Sequence, residues 1–239
     1  MEFEEKRLGI LGGMGPQATQ ILYQWVLDRT DADCDQEHIP TIILSDTKIP
    51  DRTQAILSGD TEIVEKKLIA DAKTLVNCGA ACIAIPCNTS HYFADAIEAS
   101  IPVPLLHMPR LAVKHLADEG RKKVALLATD GTVQTGIYHK EAKRVGIEIL
   151  NPPPEIQNKV MSLIYDEIKQ GEKGNRRTFA VIDRAVKGAG CDGAILACTE
   201  LSVFNEYHHL PEFYADAMAI LADACVDFFG KARTNSQFS

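Results

Sequence analysis

The chain has 239 residues, of which 46% are apolar and 24% charged, and its formal net charge is −8 at pH 7. This length and composition predict a globular protein built as one large domain or two small ones. The acidic balance, without any basic run, argues against a nucleic acid or an anionic membrane as partner.

The first residues show neither the positive flank nor the apolar segment of a signal peptide, and no run approaches the ~20 apolar residues of a membrane span. With seven cysteines in such a chain, we expect a cytoplasmic protein whose thiols are free. Cys78, Cys82 and Cys87 are four and five residues apart. These spacings do not match the C-x-x-C pairs of metal sites, so we expect no metal.

The chain opens with a predicted strand over 6–11 that runs into the glycine-rich segment 12–16. Pro16 suits the first position of a helix, which the pattern extends to about Arg29. The spacing of glycines imitates the dinucleotide fingerprint, a weak signal by itself. We interpret the exposed N–H groups of this loop as an anion site at a helix start, for a substrate carboxylate rather than NAD.

The second predicted strand, over 41–46, is β-branched and is followed by a loop over 49–53 that contains Arg52. Ligands of parallel sheets bind beyond the carboxyl ends of the strands, so Arg52 is a candidate carboxylate ligand. The alternative is a surface ion pair with Asp51 or Asp60.

The segments 84–91 and 195–201 are two copies of one pattern, and they contain Cys87 and Cys198. In each, a glycine stands eight residues before the cysteine, and small polar residues with a helical pattern follow it. The pattern predicts that each sulfur lies at the C-terminal tip of a buried strand, where a helix starts. Backbone N–H groups in that position lower a thiol pKa from about 8.5.

The rest of the chain repeats the opening order of elements. The further predicted elements are a helix over 61–77, a helix to about 100, a short strand within 101–109, a strand over 121–129, a strand over 148–150, helices over 155–171 and 177–188, and a final helix over 213–230. Lys6 to Cys87 spans 81 residues and Lys122 to Cys198 spans 76, which indicates an internal duplication.

Strands alternating with helices in two copies predict an α/β fold of two pseudo-symmetric, doubly wound domains with parallel sheets. We predict one domain over 1–106 plus 208–239 and the other over 107–207. The active site is expected in the cleft between them, where the two cysteines would face each other.

Two thiols on opposite faces of an α-carbon suit one reaction, racemisation. A thiolate removes the α-proton on one face and a thiol returns a proton on the other, which inverts the centre. Thiols fit this task because their ordinary pKa, about 8.5, is close enough to neutrality for both protonation states to coexist. The carbanion then needs electrostatic stabilisation in a dry site.

The two cysteine motifs, the segment 12–16 and the segment 50–53 together resemble the aspartate/glutamate racemase superfamily over about 7–229. The resemblance is strongest to its aspartate racemase branch. The glutamate racemase branch carries an Asp-Ser loop after the first strand and Cys-Thr-His as its second motif. This chain has Met14 and Glu200 at those places.

The resemblance implies a cofactor-independent enzyme, a homodimer, that acts on aspartate and possibly glutamate through Cys87 and Cys198 as acid/base thiols. It implies that Arg52 holds a substrate carboxylate and that Glu200 binds the ammonium or adjusts the neighbouring thiol. The other substrate-binding residues that it implies are Met14, Asn88, Thr89, Thr129, Thr132, Lys169 and Thr199.

Alternatives remain at this point. The fold would also suit a hydantoin racemase, a maleate isomerase or an arylmalonate decarboxylase, and a silent amino-acid-binding or thiol-sensing protein would share it too. His91 is either the base of a Cys–His pair or a residue that fixes local structure. The remaining cysteines are interpreted as inert packing thiols: Cys34, Cys78, Cys82, Cys191 and Cys225.

Overall fold

A computed structural model describes residues 6–234 of the chain. The chain divides into two units, one that ends at Met108 and resumes at Leu221, and a second that comprises Pro109–Ile220. The sequence prediction places these crossings after 106 and 207, two and thirteen residues earlier, and its domain boundaries stay a prediction.

The first unit contains a parallel sheet of four strands. Its strands are β1 (Arg7–Gly12), β2 (Thr41–Ser45), β3 (Ala80–Ala84) and β4 (Leu105–Leu106). Their order is β2–β1–β3–β4. The helices are α1 (Pro16–Arg29), α2 (Arg52–Ser58), α3 (Glu62–Asn77) and α4 (Ala94–Glu98), with 3₁₀ turns at Asp35–Glu37 and Thr89–Phe93, and α5 (Met108–Asp118) begins where this unit ends.

The core of this unit forms where apolar strands meet one face of α3. Val64, Leu68, Ala72 and Leu75 recur at helical spacing and are at most 1% exposed. A side chain of this kind contributes about 1.5–3 kcal/mol when it is fully buried. This packing holds β1 and β3 in the centre of the sheet.

Gly13 lies in the turn after β1 and has a backbone that only glycine adopts easily. Its φ is +93°, and a Cβ atom there would lie 2.4 Å from the backbone carbonyl of Asp46, just after β2. The close approach of these two strand ends therefore requires glycine at this position.

The second unit contains a sheet of the same kind, again with four parallel strands. Its strands are β5 (Lys123–Ala128), β6 (Glu148–Leu150), β7 (Gly193–Ala197) and β8 (Tyr214–Asp216). Their order, β6–β5–β7–β8, repeats that of the first sheet. The helices are α6 (Asp130–Thr135), α7 (Ile137–Val145), α8 (Pro154–Ser162), α9 (Arg176–Gly188), α10 (Thr199–His208) and α11 (Ala217–Phe228), the last of which enters the first unit at Leu221. The predicted α/β class with two parallel sheets is confirmed.

Two predicted helices differ in detail, and one observed helix was not predicted. The helix predicted over 155–171 is α8 followed by a π-helical turn, Leu163–Glu167, and a 3₁₀ turn, Ile168–Gln170. The helix predicted from 213 begins instead with the strand β8, and α5 has no predicted counterpart. A strand of three residues is too short for its alternation to be recognised, so its existence depends on pairing with β7.

Candidate active site

Cys87 is placed by β3 but does not stand at its tip. The strand ends at Ala84, and Cys87 follows three residues later, with its N–H donating to the Ile85 carbonyl at 2.8 Å. Pro86 has no N–H group to continue the sheet, which explains why the strand stops early. The side chain is buried, and a 3₁₀ turn rather than an α-helix comes next.

Cys198 matches the predicted position more closely, because it directly follows β7 and is the N-cap residue of α10. It is 7% exposed. Its thiol donates to Glu200 Oε2 at 2.8 Å, and the same oxygen accepts the Thr199 hydroxyl at 3.3 Å. Lys169 Nζ lies 3.9 Å from the other carboxylate oxygen of Glu200.

The pKa of the Cys198 thiol is raised well above its usual value, first by burial and then by the charge and hydrogen bond of Glu200. Lys169 opposes this rise. The prediction that the helix start lowers this pKa is therefore wrong, because removing the sulfur from water costs the thiolate more than the helix end returns. The raised pKa favours the protonated thiol of Cys198.

Lys169 is a cation beside this carboxylate. Burial acts to lower its pKa, but Glu200, Tyr165 and Cys198 act in the opposite sense and the net shift is upward. Its ammonium lies 3.9 Å from the centre of the Tyr165 ring. The predicted lysine therefore belongs to the group of residues around Cys198.

Arg52 is held on the Cys87 side of the molecule, in the first unit. It begins α2, so the loop predicted over 49–53 ends two residues earlier, and the helix is capped by Asp51, which accepts from the Gln54 N–H at 2.7 Å. The guanidinium donates to the carbonyls of Pro50 at 3.1 Å and Met14 at 3.2 Å. These carbonyl bonds, rather than the predicted alternative of an ion pair with Asp51, fix its position.

One donor of Arg52 remains unused among the described residues. Its Nε is buried and has no hydrogen-bond partner in the part of the chain that the structure describes. An unsatisfied buried N–H of a charged group is costly, and a carboxylate is the partner that suits a guanidinium best.

Met14 joins the glycine-rich segment to the Cys87 segment. Its sulfur is 3.2 Å from the Ser90 hydroxyl, and its carbonyl accepts from Arg52. The Gly13 N–H donates to the Thr19 hydroxyl at 2.9 Å. The Gly13 N–H is therefore already satisfied by Thr19, and the anion site expected at the N–H groups of this loop stays a prediction.

Thr129 and Thr132 lie at the edge of the second sheet that carries Cys198. β5 and β7 pair Ala128 with Ala197, so the residues that follow them, Thr129 and Cys198, leave the sheet side by side. Thr129 caps α6, and its hydroxyl accepts from the Thr132 N–H at 3.3 Å. Both side chains are buried.

Asn88, Thr89 and Thr199 are all buried directly after the two cysteines. The first unit thus brings together Met14, Arg52, Cys87, Asn88 and Thr89. The second unit brings together Cys198, Thr199, Glu200 and Lys169, with Thr129 and Thr132 at the same edge of the sheet.

Sequence reasoning missed Ser90 and Tyr138 as members of these groups. Tyr138 is fully buried on α7, and burial, then Asp216 and then Cys198 raise the pKa of its phenol well above the usual value. It shares the electrostatic environment of Cys198 although it lies sixty residues before it. Only the three-dimensional packing reveals this, since an amphipathic helix residue carries no such signal in its sequence.

His91 is neutral. Its Nδ1 donates to the Cys87 carbonyl at 2.9 Å, and its Nε2 accepts from the Met108 N–H at 3.1 Å. Burial, and next the nearby His107, lower its pKa to about 3. With both ring nitrogens engaged by backbone groups, the ring has no atom left for a Cys–His pair.

All seven cysteines are free thiols, and the five outside the motifs differ in exposure. Cys82, Cys191 and Cys225 are buried, and burial raises their pKa values, that of Cys82 to about 12. Cys34 and Cys78 are exposed, so the prediction that they are packing thiols is wrong for these two.

Residues 6–234 contain neither a metal-type side-chain cluster nor a helix suited to a membrane. In that part of the chain no three His, Cys, Asp or Glu side chains converge in a way that would hold a metal ion. None of its helices has the length and apolar character that crossing a membrane requires.

Comparison with known proteins gives consistent similarities. Residues 11–225 match the family described as Asp/Glu/Hydantoin racemase. The chain is 31% identical to the broad specificity amino-acid racemase RacX of Bacillus subtilis, with 93% of this chain and 97% of that protein covered. Picrophilus torridus aspartate racemase superposes with a TM-score of 0.80 at 30% identity, over 96% of each chain. An aspartate racemase homologue from Pyrococcus horikoshii has the same fold, with a TM-score of 0.77 at 24% identity over 95% of this chain and 100% of that one.

Proposed function

The chain belongs to the Asp/Glu/Hydantoin racemase family, and we propose that it interconverts L- and D-aspartate with Cys87 and Cys198 as the two acid/base groups. The observation that carries the proposal is the duplicated thiol. Each cysteine follows the strand in the same place of a sheet with the same strand order, β3 in one and β7 in the other.

In the proposed reaction both sulfurs act on the same α-carbon. One sulfur, as a thiolate, takes the α-proton and becomes a thiol. The other, as a thiol, gives its proton to the opposite face and becomes a thiolate, so protons and charge balance without a cofactor. The raised pKa of the Cys198 thiol supports the role of acid in this cycle.

Arg52 is proposed to hold a substrate carboxylate. Its two Nη groups already bind backbone carbonyls, which fixes the plane of the guanidinium, and Nε remains as an unused donor. A fixed planar donor orients a carboxylate better than a mobile ammonium does. Asn88, Thr89, Thr129, Thr132 and Thr199 are proposed as further polar contacts.

Glu200 is proposed to raise the pKa of the Cys198 thiol, so that binding the substrate ammonium is not its only role. The 2.8 Å contact between its Oε2 and the sulfur supports this role, and Lys169 supplies the compensating positive charge. The carboxylate keeps the proton on the sulfur until the carbanion forms on the substrate.

The deciding experiment follows the α-hydrogen in deuterated water. Each aspartate enantiomer is incubated separately with the enzyme, and deuterium incorporation and chirality are measured together. The proposal expects the product enantiomer to carry deuterium at Cα. A protein that binds aspartate with neither exchange nor inversion is a binding protein or thiol sensor, and the proposal is then wrong.

A second candidate function is racemisation of a wider set of amino acids. The similarity to a broad specificity amino-acid racemase over 93% of this chain favours it. The same assay, repeated with glutamate and with neutral amino acids, separates the two. The aspartate proposal expects dicarboxylic substrates to be preferred, because Arg52 supplies a second carboxylate site, while equal rates for neutral amino acids favour broad specificity.

We propose further that the protein is a cytoplasmic homodimer and that it requires no cofactor. Activity should survive dialysis against EDTA, and sedimentation should give twice the chain mass of 26.2 kDa. A visible absorbance band that is lost together with the activity would contradict cofactor independence.

A further inference from the structure

His91 connects the Cys87 segment to the start of α5. It is the fourth residue after Cys87, and its ring bridges the carbonyl of that cysteine and the N–H of Met108, the first residue of the helix. The His107 ring lies against it, with centroids 4.9 Å apart. The bridge is buried, since His91 is 2% exposed.

Ser202 makes the corresponding connection in the second unit. It is the fourth residue after Cys198, and its hydroxyl donates to Asp216 Oδ1 at 2.7 Å. The same oxygen accepts from the N–H groups of Met218 at 3.0 Å and Ala219 at 3.2 Å, in the first turn of α11. Ser202 is 0% exposed and Asp216 is 6% exposed.

The two connections end at equivalent places. Met108 and Met218 are each the second residue after the last residue of a fourth strand, Leu106 in β4 and Asp216 in β8. The helices that they belong to, α5 and α11, are also those in which the chain passes from one unit to the other. In each unit the start of this helix is therefore connected to the cysteine segment. The connection is an imidazole, His91, in the first unit and a hydroxyl–carboxylate pair, Ser202–Asp216, in the second.

We propose that His91 and the Ser202–Asp216 pair are positioning residues, each of which holds one catalytic thiol segment against the helix that carries the chain across. This assignment deepens the proposed two-thiol function and rests on it for its catalytic meaning. We call the two connections tethers: His91 in the first unit and the Ser202–Asp216 pair in the second. Their positioning role can be tested without that function, because each tether should control the reactivity of its own cysteine and not of the other.

The chemistry of the tethers explains why neither takes part in proton transfer. Neutral imidazole offers one donor and one acceptor, and the backbone uses both. In the second tether the carboxylate accepts from Ser202 and from the helix N–H groups, with Oδ2 also 3.4 Å from the Asn205 amide nitrogen. Every hydrogen bond of either tether therefore serves position.

The test measures how fast iodoacetamide alkylates Cys87 and Cys198 in the same sample, by mass spectrometry of the two peptides. The variants are His91→Asn, His91→Gln and Ser202→Ala, and the matched controls are His115→Gln and Ser100→Ala. His115 is on the exposed face of α5, and the Ser100 hydroxyl donates to the Ala96 carbonyl at the end of α4.

An Asn amide keeps a donor near the Nδ1 position and a Gln amide keeps an acceptor near the Nε2 position, so each preserves only one end of the bridge. The tether predicts that both change the Cys87 rate by about fivefold or more, the effect of one lost hydrogen bond, with the Cys198 rate within about twofold. Ser202→Ala should give the reverse pattern, and the controls should change neither rate. If the His91→Asn variant keeps the full wild-type alkylation rate at Cys87, His91 is only a local cap. If all variants change the alkylation rates of both cysteines equally, the tether proposal is wrong.

A second readout uses the proposed reaction itself. In deuterated water, His91 variants should slow the exchange of the enantiomer that depends on Cys87 more than the other, and Ser202→Ala should do the opposite. If the wild-type protein racemises no amino acid, the proposed function fails, but the alkylation pattern still decides the tethers. If racemisation is normal and neither set of variants affects its own cysteine more than the other, only the tether proposal is wrong.

Discussion

The two cysteine segments occupy equivalent positions in their sheets but differ in the groups around the sulfur. Cys198 stands on a helix N-cap with its thiol bonded to a carboxylate, and a lysine compensates the charge. Cys87 comes three residues after its strand and is followed by Asn88 and Thr89, with the neutral ring of His91 bonded to its carbonyl. A duplicated scaffold thus carries two different chemical environments.

This difference shows that the position of a thiol in a fold does not determine its acidity. Both segments were expected to lower a thiol pKa by the same helix-start effect, yet in the second unit the structure shows the opposite shift. Burial and one neighbouring carboxylate outweigh the helix end. Substitutions around either thiol therefore test how much each environment contributes.

The largest effect is expected from removing either thiol. Cys87→Ser and Cys198→Ser should each lower racemisation by about 10²–10⁴-fold, because a serine hydroxyl does not act as a base near neutrality. The remaining thiol should still exchange one enantiomer without inverting it. We expect Cys87→Ser to exchange L-aspartate and Cys198→Ser to exchange D-aspartate, as measured by deuterium incorporation with chiral chromatography. Near-full racemisation by either variant would contradict the two-thiol mechanism, whereas swapped preferences would change only the assignment of faces.

The second prediction concerns Arg52, the proposed carboxylate ligand in the unit that contains Cys87. The loop after β2 leads into Arg52, whereas the loop after β6 reads Asn151 followed by three prolines. Arg52→Lys should lower kcat/KM by about 30- to 150-fold, equivalent to about 2–3 kcal/mol, because an ammonium loses the planar fork. Arg7→Lys is the matched control, since Arg7 also donates to a backbone carbonyl, that of Cys78, at 3.1 Å. Equal kinetics for both variants and the wild type would make Arg52 a surface residue.

The third prediction contrasts the two tethers through the pH dependence of stability. The pKa of His91 is lowered to about 3 in the folded protein, so the unfolded chain binds this proton first as the pH falls below about 6.5. The free energy of unfolding should therefore fall with acidification, and between pH 7 and 5 this residue contributes a loss of about 2 kcal/mol.

His91→Gln should abolish that loss, as measured by urea unfolding at the two pH values, while His115→Gln should keep it.

Asp216 affects the pH dependence of the free energy of unfolding with the opposite sign. Burial raises its pKa, so the folded state takes its proton at higher pH than the unfolded chain does, and acidification favours the folded state. Asp216→Asn should therefore lose stability more steeply than the wild type as the pH falls. If the free energy of unfolding depends on pH in the same way in all variants and the wild type, these groups do not titrate as described.

The smallest effect is expected from replacing the two charged residues beside Cys198, Glu200 and Lys169. Glu200 raises the pKa of this thiol and Lys169 lowers it. At pH 8 Cys198 should therefore be alkylated faster in the Glu200→Gln variant and more slowly in the Lys169→Met variant, because the thiolate is the reacting form. Cys87 in the same sample is the internal reference and should not change. Shifts in the same direction for both variants would show that the substitutions alter access to the sulfur rather than its charge.

Much of the architecture was predictable because it depends on local patterns. Apolar runs alternate with amphipathic segments, and their spacing predicts strands and helices whose copies indicate two similar sheets. The paired cysteines and Arg52 stand beyond strand ends in the sequence itself, so these candidates follow from parallel-sheet geometry. Thr129 and Thr132 are implied by the family resemblance, and in the structure they follow the end of β5.

The short strands and the irregular helix after α8 were less predictable. β4 has two residues and β8 has three, and such segments become strands only through pairing with β3 and β7. Their positions also decide where His91 and Ser202 find partners. Neither tether is therefore visible before the fourth strands are placed.

The α/β class, the duplication and two candidate thiols are visible in the sequence, because they depend on periodicity and on order along the chain. The raised pKa of the Cys198 thiol, the lowered pKa of His91 and the unused Nε donor of Arg52 follow only from the folded chain. Each of these depends on how much water reaches a group and on which charges stand within a few ångströms of it. Residues far apart in the sequence, such as Lys169 and Cys198, supply those charges only once the chain has folded.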